Sequence, residues 1–100
     1  MNQPAARQRT LVDGASVPRF APHVSFRFDT TRDKWIVLAP ERLLLPDEQA
    51  VEILRLADGV RTVDAIVDDL AQRYAADRAL IAGDVAALFQ DLADKGVMTA

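Results

Sequence analysis

The sequence predicts one α+β domain, a three-stranded antiparallel β meander followed by three helices. Three observations carry this prediction. Apolar residues alternate with period two through Val24, Phe26 and Phe28, and they recur at helical spacing from Ala50 to Leu92. A chain of 100 residues has room for a single core, and no internal repeat or low-complexity stretch divides it. A meander with one apolar face must bury that face, and the helices are the cover available.

The elements follow in order. Residues 1–16, MNQPAARQRTLVDGAS, are small and polar, with Pro4 and Gly14 as breakers, and predict a mobile tail ahead of a domain spanning 17–100. Val24, Phe26 and Phe28 alternate with His23, Ser25 and Arg27, the pattern of a half-buried strand. The polar stretch from Asp29 to Lys34 makes a loose turn, and Trp35-Ile36-Val37-Leu38 makes a second strand of aromatic and β-branched residues. Pro40 ends it, because proline cannot donate to a ladder. Glu41 to Leu45 form a short third strand, closed by Pro46.

After Pro46 the period becomes helical. Asp47 caps a first helix expected to reach about Ala57, stopped by Asp58-Gly59. Thr62 caps a second, whose Val63, Ile66, Val67, Leu70 and Tyr74 share one side. A third begins near Asp77 or Arg78, carries Ile81, Val85, Leu88, Phe89 and Leu92 on one side, and ends at Gly96. Gly83 costs it roughly 1 kcal/mol relative to alanine, which the surrounding helix formers outweigh. The content is winged-helix-like.

Composition narrows the function. Half the residues are hydrophobic and 27% are charged, as in an ordinary globular domain. The chain has no cysteine and one histidine, His23, so a disulfide scaffold, a thiolate zinc site, a cysteine-ligated cluster and a multi-histidine metal site are excluded within one chain. No apolar run is long enough to span a membrane, and the N-terminal region lacks a signal-peptide core, so a cytoplasmic location is expected. No metal or cofactor is expected either.

Charge is unevenly distributed within the net −3. Residues 1–46 carry seven Arg or Lys against four Asp or Glu, whereas residues 47–100 carry five against eleven. A winged-helix nucleic-acid-binding or regulatory module is the alternative function. Acidic helices would oppose docking on phosphates, and no nucleic-acid partner is expected.

Catalysis finds little support. His23 and Ser25 sit two apart on one predicted strand, but a hydrolase also needs an orienting carboxylate and an oxyanion hole, and there is no nucleophile elbow. Asp64 and Asp68 share a helix face, as do Asp84, Leu88 and Asp91 in a looser row, and such carboxylates read as a solvated face. The four glycines form no phosphate-cradling cluster. Trp35 reads as sheet-to-helix packing. No catalytic residue is assigned.

Binding remains, and the third strand is where it points. Arg42, Leu43, Leu44 and Leu45 place apolar side chains on both faces, so one face is unexplained if the strand is an open edge. Such an edge accepts an extended peptide as an added strand. Four or five added hydrogen bonds net roughly 1 kcal/mol each, while ordering each peptide residue costs roughly 1 to 2. Side-chain pockets must supply the difference. Intramolecular cover or a homodimer would satisfy the same leucines.

Val17-Pro18-Arg19-Phe20, the hairpin ending in Trp35, Leu38-Ala39-Pro40-Glu41-Arg42, Asp58-Gly59 and Thr62-Val63 together resemble the PqqD family of pyrroloquinoline quinone biosynthesis, from about Val17 to Val97. The resemblance implies a winged-helix-like peptide chaperone, a precursor-peptide recognition domain. Its partners would be the precursor peptide PqqA and the radical S-adenosylmethionine enzyme PqqE, to which it presents PqqA. It also implies that the leader adds beside the strand of Glu41, Arg42, Leu43, Leu44 and Leu45. The opposite wall would come from the third helix, with the row around Asp84, Val85 and Leu88 expected to face the peptide.

Overall fold

A computed structural model describes residues 9–100. It contains β1 (Arg19–Phe20), β2 (Ser25–Asp29), β3 (Lys34–Ala39), β4 (Arg42–Leu44), α1 (Glu48–Leu54), α2 (Val63–Tyr74), α3 (Arg78–Asp94) and β5 (Met98–Thr99). The predicted meander is the sheet β2-β3-β4, antiparallel throughout. The second sheet, β1 paired with β5, was not predicted. Two-residue strands carry no readable alternation, and their pairing joins residues about eighty positions apart in sequence, where local pattern has no reach.

The meander turns one face toward the helices, while Ile36 on the opposite face of β3 is also buried. Phe26 lies opposite Val37, and Val37 opposite Leu44, so these three line up across the sheet toward the helices. Trp35 stands on the same face, stacked on Phe26 with ring centroids 4.8 Å apart and covered by the Arg55 guanidinium at 5.3 Å. The sheet-to-helix role expected of Trp35 is therefore observed. The hairpin turn is built around Asp29, which is buried, accepts from the Thr31 N–H at 2.9 Å and pairs with Arg32 at 2.5 Å. That hydrogen bond from Arg32 holds its carboxyl below the usual carboxylate range despite burial.

The helices start where their caps predict. Asp47 accepts from the Ala50 N–H, Thr62 from Ala65 and Asp77 from Ala79. Ile53, Leu54, Ile66, Val67, Leu70, Val85, Phe89 and Leu92 meet Val37, Val97 and Met98 in one core. α1 is shorter than expected. It stops at Leu54, and Leu56 and Ala57 continue in tight i to i+3 turns that bury Leu56. The last turn of α2 ends on Ala75, a non-glycine residue in the left-handed region at φ 49°.

Two further expectations change. His23 is not in a strand beside Ser25 but in the preceding turn at φ 69°, so the two share no strand face. The tail reading covered residues 1–16, of which 1–8 lie outside the described residues. Residues 9–16 are docked rather than free. The Ser16 and Gly14 carbonyls accept from the Val63 and Asp64 N–H groups at 2.8 and 3.0 Å, satisfying donors that the start of α2 cannot pair internally. Val12 packs against the core.

Candidate functional site

β4 has one neighbour in its sheet, β3, and its other edge is open among the described residues. Leu44 turns inward opposite Val37. Leu43, opposite Leu38, lies on the outer face, and both are about 40% exposed. Leu45, just beyond the strand, is 53% exposed. The edge is thus flanked by leucines on both sides, with no lysine or internal proline to blunt it.

Alongside this edge runs a groove of about 180 Å³. Leu44, Leu45 and Pro46 line it from the strand side, Leu88, Asp91 and Leu92 of α3 with the capping Lys95 from the helix side, and Ala50 and Leu54 of α1 complete the lining. Liquid water occupies about 30 Å³ per molecule, so the groove has room for a side chain and not merely for solvent. Asp91 and Lys95 pair with each other at 2.6 Å on the rim, both partly exposed. The walls are aliphatic, and the polar groups of the adjacent edge are backbone N–H and C=O.

Of the residues singled out from the sequence, Arg42, Leu43 and Leu44 lie in β4, Leu45 follows it, and Glu41 is in the exposed turn with Pro40. The strand is one residue shorter at each end than the predicted 41–45. Leu88 faces the groove. Asp84 and Val85 do not reach it. They border a smaller hollow between α1 and α2, near Ile81 and Tyr74, where Gln49 donates to Asp84 at 3.4 Å. Val85 is fully buried in the core. The physical reason is where the strand and helix meet: β4 faces the C-terminal half of α3. The groove row therefore runs forward from Leu88 to Asp91, Leu92 and Lys95 at helical spacing, not back to Asp84. That spacing is visible in the sequence, but the direction of the row is not.

Of the aspartates drawn as possible acid–base groups, Asp91 lies on the groove rim paired with Lys95, and Asp64 and Asp68 are engaged elsewhere. Asp68 accepts from Arg78 at 2.7 Å, with Asp64 at 3.6 Å from the same guanidinium. Asp58 sits below the usual range because the Arg61 and Val60 N–H groups donate to it. Neither feature touches the groove. A larger, open concavity of about 650 Å³ lies between the tip of the β2–β3 hairpin and α1, lined by Phe28, Trp35 and Glu52 among others. It meets the groove at Pro46, and its walls carry the carboxylate of Glu52 and the charged groups of Asp33, Lys34 and Glu48 where those of the groove are mostly aliphatic. Among the described residues, no cluster of three or more His, Asp or Glu is placed to hold a metal ion.

Edge and groove together define a class: a small α+β domain with an open strand edge beside an aliphatic groove. The chain belongs to the PqqD family. The family model described as coenzyme PQQ synthesis protein D (PqqD) matches residues 34–98. A PqqA binding protein of Rhodopseudomonas palustris strain BisB5 is 55% identical over 94 residues, covering 94% of this chain and 92% of that protein. Among solved structures, the PqqD truncation of Methylobacterium extorquens PqqCD is 42% identical with a TM-score of 0.76, covering 91% of this chain and 97% of that one. It is described as a functional, stand-alone recognition element for ribosomally synthesized and post-translationally modified peptides. A lasso peptide synthetase B1 solved with its leader peptide has the same fold at 17% identity and a TM-score of 0.72, covering 85% of this chain and all of that one.

Proposed function

We propose that this chain is the peptide chaperone of pyrroloquinoline quinone biosynthesis, binding the precursor peptide PqqA and presenting it to the radical S-adenosylmethionine enzyme PqqE. The observation that carries the reading is the open edge of β4 beside an aliphatic groove, in a chain of this family. PqqA adds as a strand along Arg42–Leu44, and alternate side chains drop between β4 and the row Leu88, Asp91, Leu92 and Lys95. Burying one aliphatic side chain there contributes about 1.5–3 kcal/mol, the surplus that backbone pairing alone lacks.

The mechanism is physical. Holding a short disordered peptide raises its effective concentration at the enzyme and fixes its register, while the bond-forming chemistry belongs to the partner. Both partners are met in the cytoplasm in this reading, and no helix among the described residues is long and apolar enough to cross a membrane. A homodimer joined through β4 would occupy the same edge, so PqqA and self-association should compete.

The test is an isotope-edited NMR titration of the labelled chain with synthetic PqqA. Shifts concentrated in 41–45 and in the C-terminal half of α3 are expected. Saturable shifts confined to other elements, or none at high peptide excess, would reject strand addition at this edge.

A further inference from the structure

The C-terminal half of α3 has three faces with three different neighbours. Leu88, Asp91, Leu92 and Lys95 face the groove, and Phe89 and Leu92 enter the core. Gln90 and Asp94 point elsewhere: at about 100° per residue, Gln90 lies roughly 200° round the helix from Leu88. On that far side runs the segment 9–12. Gln90 uses both ends of its amide on it, Oε1 accepting from the Val12 N–H at 2.9 Å and Nε2 donating to the Thr10 carbonyl at 2.7 Å. A side chain that donates and accepts at once treats the segment as a neighbouring strand would. Arg9 then grips Asp94 with two parallel bonds, 2.8 and 2.7 Å, and Gln90 also donates to that Asp94 oxygen at 3.0 Å.

We infer that Gln90 and the Arg9–Asp94 pair are positioning residues for peptide binding: they clamp the back of α3 so that its front presents Leu88 and Lys95 at a fixed distance from β4. The inference rests on the groove reading above. The wall opposite β4 is a helix face, and the groove's width depends on how α3 is held. The core anchors α3 on one side and the segment 9–12 anchors it on another. The segment lies behind the helix from the groove, so any effect on affinity is carried through α3 and not by contact with the peptide.

The experiment uses the full chain and synthetic PqqA, with affinity read by titration calorimetry and melting temperature read separately. Arg9→Asp, Asp94→Arg and Gln90→Glu should each weaken binding about 3- to 10-fold, the size of one or two net hydrogen bonds. Gln90→Glu loses the donor and sets a second carboxylate beside Asp94. The charge-swapped double variant Arg9→Asp/Asp94→Arg should bind more tightly than either single variant, recovering part of the loss, since the pair is re-formed with reversed polarity while the Gln90 bond to Asp94 stays lost. Thr62→Ala, which removes the α2 cap, provides the contrast: a lower melting temperature with unchanged affinity. Single variants that lower the melting temperature but bind as the parent does, or a double variant that fails to recover, would overturn the clamp. Leu43→Pro separates the two ideas. If it binds normally, the groove reading itself fails, whereas loss of binding there beside normal binding in the clamp variants removes the clamp alone.

Discussion

Leu43→Pro is the sharpest probe of the open edge. Pro40 and Glu41 are the two residues linking β3 to β4, so Ala39 and Arg42 close the turn through its usual i to i+3 bond. Antiparallel alternation then makes Leu38–Leu43 the pair without mutual bonds, which points the Leu43 N–H and C=O away from β3 and toward the open side. Proline at 43 therefore removes a donor that the β3 ladder does not use, at a position where edge strands tolerate it. One net hydrogen bond is worth about 0.5–1.5 kcal/mol, or roughly 2- to 12-fold in affinity. The pyrrolidine ring also projects where an incoming carbonyl must sit, so a loss of at least about tenfold is expected. Calorimetric titration with PqqA measures the loss, and circular dichroism and amide dispersion establish that the fold persists. A folded Leu43→Pro protein with parental affinity would refute strand addition on β4.

Other expectations follow from particular contacts. Leu88→Glu puts a charge on the groove wall and should weaken PqqA binding at least about tenfold, read in the same titration. Val85→Ala, by contrast, opens a cavity in the core: it should cost about 2 kcal/mol in denaturant unfolding and leave the affinity of the folded protein unchanged. Ala75→Gly relieves a left-handed residue at the end of α2 and should raise unfolding stability by about 0.5–1 kcal/mol. Asp29 has a folded pKa below its unfolded value near about 4, so its contribution is full above that pH and is lost as pH falls through the lowered value. Melting temperatures compared at about pH 7, 4 and 2.5 should show a smaller acid-side loss in Asp29→Asn than in the parent; equal losses would count against the Asp29–Arg32 pair.

Periodicity and local chemistry encode the features of this fold that lie within a few residues of one another. Alternation through Phe26 and Phe28 and the aromatic and β-branched run from Trp35 to Leu38 marked the meander, Asp47 and Thr62 marked helix starts through bonds that span three residues, and consecutive leucines marked β4 as an edge with an unexplained face. Family membership was legible as well, through the resemblance carried by Val17–Phe20, Leu38–Arg42 and Asp58–Val63, and the family model matches residues 34–98. Long-range geometry was not. Nothing in Arg19-Phe20 announces a partner at Met98-Thr99, and nothing in a polar tail announces that its carbonyls complete the start of α2. The same limit governed the groove. Leu88 could be picked from α3, yet Asp84 and Val85 share its helical row as readily as Asp91, Leu92 and Lys95 do. Only the tertiary structure separates them, placing Leu44 across a groove from Leu88, Asp91 and Leu92 and not from Asp84, because a helix repeats its faces every turn and cannot say which turn meets the strand.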